Sequence, residues 1–313
     1  MNIILFGAAS FIGTNLTIEL AKVKEDKITL VDVNKGYFLN FDMMNYNNVE
    51  IVESSFTENT DFESLLEGQD LLFHLISTTV PTTSNQHVAQ ELTANVVMSA
   101  KLLDACEKCG VKKVVFISSG GTVYGKESTC PLKESMETNP ITSYGIQKVT
   151  IEKLLYLYRY MYGLDYRVIR LSNPYGPYQR PNGVLGAVTT FTFKALVGDE
   201  VTVYGDGSVI RDFIYIEDAV RGILNIVNGV NKHRTFNLGC GYGTSIKELL
   251  ETIQVTLKLD MNIVYKPARK VDVPVNYLDI ARYEKVYGSF NPLSLEEGIK
   301  KTANFLENYM LNI

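Results

Sequence analysis

The stretch NIILFGAASFIG, Asn2 to Gly13, decides the fold. It opens with an apolar run, turns at Gly7 and enters a segment, Phe11 to Lys24, whose apolar residues recur at helical spacing. A buried strand, a glycine turn and a helix in immediate succession predict the first βα unit of an open α/β sheet. Gly7 permits the sharp change of direction, and Gly13 lets the helix lie close on the strand. The helix N-terminus then offers unbonded N–H groups and a positive dipole end to a pyrophosphate. Ser10 stands where the usual pattern has its middle glycine. Serine is small and its hydroxyl can donate to a phosphate oxygen, so the turn is expected to keep that capacity.

The same texture continues along the first half. ITLVDV, VEIV, DLLFHLI and KKVVFISS read as strands, followed by YRVIRLS, with helices over Asn85 to Cys109 and Ser143 to Gly163. Strands that are apolar throughout and separated by helices imply a parallel sheet covered on both faces. This is the Rossmann-type, doubly wound α/β pattern. After Asn173, proline and glycine cluster in NPYGPYQRPNG, and short strands such as VTVYG, IRDFIYI, TFNLG and MNIVYK alternate with shorter helices. Residues 1–172, joined by about 212–240, are therefore expected to form a nucleotide-binding domain. Residues 173–211 and 241–313 are expected to form a smaller C-terminal substrate-binding α/β lobe.

Composition excludes several partners. At 313 residues and 46% apolar content the chain can bury a large core. A net charge of −5 without a block of Lys or Arg argues against nucleic acid. No apolar run approaches membrane-spanning length, and MNIILFG has no charged region ahead of it, so no membrane association or signal peptide is expected. Four cysteines are too few for a disulfide scaffold and fit a reducing, cytoplasmic setting. Cys106 and Cys109 read as helix-end residues. His74, His87 and His233 lack ligand spacing, so no metal is expected.

Two features carry chemistry. Asp32, at the end of the second predicted strand and 19 residues beyond Gly13, can accept both hydroxyls of an adenosine ribose. It would repel a 2′-phosphate, which favours NAD over NADP. Tyr144 and Lys148 in YGIQK lie one helical turn apart on the same face. A tyrosine hydroxyl titrates near 10, too high for a base at neutral pH. An adjacent ammonium stabilises the phenolate and makes it a general base.

In chain order the glycine turn, Asp32, FISSGGTVYG (Phe116–Gly125), Tyr144 with Lys148, RLSNPYGP (Arg170–Pro177) and RDFIYIED (Arg211–Asp218) resemble the extended short-chain dehydrogenase/reductase family. The likeness is strongest to its NAD-dependent nucleotide-sugar epimerases of the UDP-glucose 4-epimerase type. The resemblance implies that Gly7, Ser10, Phe11, Ile12, Gly13, Asp32, Asn34, Ser55, Leu75, Ser77 and Asn95 bind NAD together with Tyr144 and Lys148. It also implies that Tyr144 is the catalytic base and that Lys148 binds the nicotinamide ribose and lowers the tyrosine pKa. Asn173, Val188, Tyr204, Arg211, Arg269, Asp272 and Asn276 are implied to bind a nucleotide-sugar substrate, with the two arginines on its diphosphate. Planar guanidinium groups suit that bidentate task. A homodimer is implied as well, consistent with apolar residues on more than one face of the helices at 85–109 and 143–163.

Departures from the family pattern sharpen the expectation. The family's Ser or Thr that bonds the reacting hydroxyl falls on Gly120, which leaves Ser119 or Thr122 to take the role. Ser55 stands where an acidic residue often meets the adenine. The dehydrating relatives' Thr-Asp-Glu is here Gly120, Gly121 and Thr122, so no carboxylate is present to protonate a leaving hydroxyl. Around Gly186 the usual phosphate-binding asparagine is missing. Asn276 occupies a position that limits pocket size in the resembling epimerases, and its small side chain leaves room for an N-acetyl group unless Tyr277 fills the space instead. The expected reaction is inversion at C4 of a UDP-linked hexose or N-acetylhexosamine by transient hydride transfer. A net NAD-dependent reductase or dehydrogenase and an inactive NAD-binding scaffold are the alternatives.

Overall fold

The computed structural model describes residues 1–38, 46–81, 84–126, 128–181, 186–269 and 273–309. Strand β1 (Asn2–Phe6) carries Ile3, Ile4 and Leu5 entirely away from solvent. Gly7 follows with φ +81°, a backbone that glycine alone adopts cheaply. Helix α1 (Phe11–Leu20) is capped by Ser10, whose hydroxyl oxygen accepts from the Gly13 N–H at 3.2 Å. The helix stops at Leu20, short of the expected Lys24.

Strands β2 (Lys27–Asp32) and β3 (Val49–Glu53) come next, then helix α2 (Phe62–Leu66) and strand β4 (Leu71–His74). Helices α3 (Val88–Leu92) and α4 (Met98–Lys108) are joined by a π-helical turn, Thr93–Val97. Strand β5 (Lys113–Ser119) leads through a loop to helix α5 (Ser143–Tyr162) and strand β6 (Asp165–Leu171). Helix α5 begins where the Thr142 hydroxyl accepts from Gly145 N–H at 3.1 Å and ends at Gly163 in the left-handed region.

The second half holds strand β7 (Asn173–Tyr175), helix α6 (Ala187–Val197) and strands β8 (Val201–Tyr204), β9 (Ile210–Arg211) and β10 (Phe213–Tyr215). Helix α7 (Ile216–Asn228), strand β11 (Thr235–Leu238), strand β12 (Thr244–Ser245) and helix α8 (Ile246–Leu257) follow. Strands β13 (Ile263–Lys266) and β14 (Val275–Asn276) and helices α9 (Ala281–Tyr287) and α10 (Leu295–Tyr309) complete the described chain.

The chain divides into two compact units. The first comprises 1–118, 142–169 and 232–235, and the second comprises 119–141, 170–231 and 236–313. The first holds, but for the last residues of β5 and β6, the run β6-β5-β4-β1-β2-β3 of the large sheet, in which β5, β4, β1, β2 and β3 pair in parallel. The run 6-5-4-1-2-3 is the Rossmann strand order, in which ligands bind beyond the carboxyl ends of the strands. Gly7, Asp32 and Leu75 lie at such ends. Phe6, Leu72, Leu102, Val114, Phe116 and Leu155 belong to its main apolar core.

The second unit carries the short sheets β10-β7, β12-β9-β14 and β13-β8 over a core that includes Tyr175, Val188, Leu249 and Ile299. IRDFIYI is not one strand. Asp212 divides it into β9 and β10 because its buried carboxylate turns to collect backbone N–H groups from Cys240 at 2.7 Å and Leu278 at 3.2 Å.

Close packing of α1 on its own turn gives a direct test. A Cβ at position 13 would lie 2.5 Å from the Ala8 carbonyl oxygen, a backbone atom that cannot rotate away. Gly13→Ala should therefore destabilise the protein by about 1–3 kcal/mol. Thermal denaturation followed by circular dichroism should show a lowered midpoint, and an unchanged midpoint would mean that α1 moves freely.

Candidate active site

In the first unit the glycine turn makes a cradle. A Cβ on Gly7 would meet Ile76 N at 3.0 Å, and one on Gly13 would run into Ala8, so both positions must stay bare. Ser10 uses its oxygen lone pair on Gly13 N–H, which leaves its exposed O–H proton to donate outward. Phe11 and Ile12 sit half-exposed in the first turn of α1.

Asp32 is oriented by the turn itself. Its Oδ2 accepts from Ala9 N–H at 3.0 Å and its Oδ1 from Val33 N–H at 2.8 Å. Each oxygen keeps a lone pair for a hydroxyl donor. Asn34 is exposed and caps Gly36 N–H at 2.7 Å. Ser55 is exposed just beyond β3, where its carbonyl accepts from the Thr60 hydroxyl at 2.6 Å. Leu75 N–H bonds Phe6 O at 3.0 Å, and Ser77 donates to Thr79 O at 2.8 Å. An apolar hollow of about 410 Å³ opens between Phe56 to Glu58 and a face formed by Ala89 of α3, Thr93 of the π-helical turn and Met98 of α4. Bare glycines, a helix N-terminus and a strand-end carboxylate with spare acceptor capacity fit a dinucleotide with a free ribose diol.

Tyr144 is half-buried on α5, and the Lys148 ammonium lies 5.5 Å from its ring centroid. Lys148 Nζ donates to Ile117 O at 2.9 Å and stands 4.7 Å from the centre of the Phe116 ring. Burial pulls its pKa down to about 8, and the Glu152 carboxylate one turn further along α5 pulls the other way. Lys148 is therefore still mainly a cation at neutral pH. Glu152 in turn accepts from the Ser118 hydroxyl at 2.5 Å.

Asn95, in the π-helical turn, is 4% exposed, and its carboxamide is engaged locally. Oδ1 accepts from Thr78 N–H, while Nδ2 donates to Thr78 Oγ1 and Glu91 O. Ser99 donates its hydroxyl proton to Asn95 O at 2.6 Å, so the 2.7 Å contact from His74 Nε2 must be a donation to Ser99. His74 Nδ1 is then an unpartnered acceptor. Burial, helped by the charge of Lys148, holds His74 down to about 3, so it is neutral and belongs to the core.

In the second unit Ser119 is half-exposed, whereas Thr122 Oγ1 is buried without a hydrogen-bond partner. Asn173 anchors to Asp212 through two bonds to its carbonyl, from N–H at 3.0 Å and Nδ2 at 2.9 Å. Pairing of β9 with β14 sets Arg211 beside Asn276, and Arg211 donates to Val273 O at 2.7 Å. Asn276 is 1% exposed and donates to Gly120 O at 3.3 Å and Gly121 O at 3.4 Å. Arg269 stacks over Tyr204 with its guanidinium carbon 4.3 Å from the ring centre, both side chains exposed. Val188 is buried in the first turn of α6, behind the left-handed Gly186. Asp272 lies outside the described residues.

Sequence reasoning missed Glu152, Asp212 and Leu278. The first had a signal, a carboxylate four residues after Lys148. Among the described residues no group of three or more His, Cys, Asp or Glu is placed to hold a metal, and no helix is long and apolar enough to cross a membrane.

A doubly wound sheet with this cradle and a Tyr–Lys pair over its strand ends is the arrangement of an enzyme that uses a nicotinamide dinucleotide. The chain belongs to the NAD dependent epimerase/dehydratase family, whose profile matches residues 3–239. Over 98% of its length it is 33% identical to the UDP-glucose 4-epimerase of Mycolicibacterium smegmatis, covering 99% of that protein. Among solved structures it is similar to the UDP-glucose 4-epimerase of Thermotoga maritima with UDP-glucose, at TM-score 0.90 and 34% identity, covering 98% of this chain and 99% of that one. A UDP-N-acetylglucosamine 4-epimerase from Methanobrevibacter ruminantium in complex with UDP-N-acetylmuramic acid matches at TM-score 0.89 and 30% identity, covering 99% of both chains.

The buried amine predicts a pH signature. Its folded pKa of about 8 lies below the ordinary 10.5, so the fold carries the cost of the charged form below pH 8, on the order of 3 kcal/mol. That cost fades as pH rises from 8 to 10.5. Lys148→Met lacks it, so the melting temperature of the parent should gain on that of the variant across this window. A pH-independent difference between the two would show that Lys148 is not buried as a cation.

Proposed function

We propose that the protein is an NAD-dependent 4-epimerase of UDP-activated hexoses or N-acetylhexosamines. The observation that carries this reading is the placement of Tyr144 and Lys148 one turn apart on α5, with the amine bonded to Ile117 O beneath the phenol ring. Identity of 30–34% across nearly the whole chain to UDP-sugar 4-epimerases supports the reaction type.

In this reading the turn residues Gly7, Ser10, Phe11, Ile12 and Gly13 receive the pyrophosphate of NAD, and Asp32 and Asn34 receive its adenosine ribose. Ser55 faces the adenine, and Leu75, Ser77 and Asn95 complete the cofactor's surroundings. Bound NAD supplies a hydride acceptor and donor for C4 of the sugar. Tyr144 takes the proton of the 4-hydroxyl and returns it after the face has changed. Lys148, a cation at neutral pH, stabilises the phenolate and holds the nicotinamide ribose. A hydroxyl from Ser119 or Thr122 bonds the reacting oxygen. Arg211 and Arg269 clamp the diphosphate, and Asn173, Val188 and Tyr204 surround the nucleotide and sugar. The Gly120-Gly121-Thr122 segment lacks the acid that dehydration needs. The first unit is thus the NAD-binding body and the second the substrate lobe, in a cytoplasmic enzyme.

Tyr144→Phe should reduce interconversion of UDP-glucose and UDP-galactose by about 10²–10⁴-fold while NAD still co-purifies. Undiminished turnover in that variant would remove the mechanism. UDP-glucose and UDP-N-acetylglucosamine assayed side by side, with no NAD added, should show whether one or both sugars are inverted. Formation of NADH in step with the sugar consumed, once NAD is supplied, would instead indicate a net redox enzyme.

We also propose a homodimer formed through the exposed apolar residues of α5, where Tyr156, Leu157, Tyr160 and Met161 face solvent in the isolated chain. Light scattering after gel filtration should give twice the 35.1 kDa chain mass, and Leu157→Asp should shift it toward one. A monomeric parent protein would dispose of this interface.

A further inference from the structure

Residue 120 is a glycine because of a neighbour. Its φ lies outside the left-handed region, so its backbone would suit any residue. What forbids a side chain is space. A Cβ there would sit 2.6 and 2.9 Å from the two methyl carbons of Leu278 and 3.2 Å from Arg170 O. Leu278 cannot easily withdraw, because it is fully buried and its N–H is held by the Asp212 carboxylate at 3.2 Å. The residues on either side are bonded to Leu132, Tyr277 O from Leu132 N–H at 3.0 Å and Asp279 N–H to Leu132 O at 2.8 Å.

The same segment grips the turn from a second direction. Asn276 donates Nδ2 to the carbonyls of Gly120 and Gly121 while its Oδ1 stays buried without a partner. Burying half a carboxamide unsatisfied costs free energy that an apolar residue would not. Gly120 N–H to Leu171 O at 2.8 Å and Val123 N–H to Ser119 O at 3.2 Å pin the turn at its two ends. Of its two hydroxyls, that of Thr122 is sealed away without a partner, whereas Ser119 is a half-exposed residue.

We infer that Leu278 and Asn276 are positioning residues for the turn Ser119–Thr122: Leu278 fills the volume of a side chain at 120, Asn276 fixes the peptide planes of 120 and 121, and the hydrogen-bonding hydroxyl is thereby carried by Ser119. The inference rests on the epimerase reading for its kinetic half and on packing alone for its structural half.

The test uses the full-length protein with its co-purified NAD and UDP-glucose as substrate. Gly120→Ser should lower the melting temperature by about 5 °C or more. Leu278→Ala should also lower it, yet adding Leu278→Ala to Gly120→Ser should raise it above the single serine variant. Asn276→Asp sets an acceptor against two carbonyls, and should cut kcat at least about tenfold while KM moves less than about threefold and NAD content is unchanged. Ser119→Ala should lower kcat by a factor of about 100 or more. The assignment is overturned if Gly120→Ser melts and turns over like the parent, if the double variant shows only the sum of two losses, or if Asn276→Asp changes KM alone. If the parent turns over neither UDP-glucose nor UDP-N-acetylglucosamine, the epimerase reading has failed, and the melting temperatures still decide whether Leu278 excludes a side chain at 120.

Discussion

A protonated amine kept from water is the constraint around which the first unit is arranged. Lys148 has 6% of its surface exposed, and its charge is met by the Ile117 carbonyl, the face of the Phe116 ring and the Glu152 carboxylate. The contacts to Ile117 and Phe116, with the bond from Ser118 to Glu152, tie α5 to the end of β5. A second cation in the same space would undo the balance, and His74, deep in β4 and bonded only through Nε2, is held neutral. The arrangement costs stability and places a positive charge beside a phenol, a trade common at catalytic sites.

Much of this was legible in one dimension. NIILFG followed by a glycine turn and a helical run identifies the first βα unit, and repetition of that pattern announces a parallel, doubly wound sheet. Tyr144 and Lys148 announce themselves by spacing, as does Asp32 by its place at a strand end. These are local features, decided within a few residues of chain. What could not be read is decided at a distance. Asn276 and Gly120 meet across 156 positions, so nothing near Gly120 explains its lack of a side chain. IRDFIYI has the composition of one strand, and only the N–H groups of Cys240 and Leu278 reveal why Asp212 divides it.

The second unit shows a different economy. Its sheets are short, and much of its order comes from one carboxylate. Asp212, fully buried and pushed up to about 6 by that burial, gathers N–H groups from two loops, while its carbonyl receives both bonds from Asn173. Neighbouring Gly239 must stay bare, since a Cβ there would lie 2.3 Å from the carboxylate. Arg211, just before it in the chain, inherits a fixed backbone from this hub.

The wide turn at Thr93–Val97 bears on how this chain could have diverged. A π-helical turn is an α-helix that has absorbed one extra residue, and each residue of an α-helix advances the side chains by about 100°. Deleting a single position there would return the turn to plain α-helix and leave α3 and α4, with buried Leu102 and Leu103, in phase. What would be lost is local, the aim of the Asn95 carboxamide at Thr78. The wide turn thus lets one side chain be re-aimed without repacking the layer on either side of it.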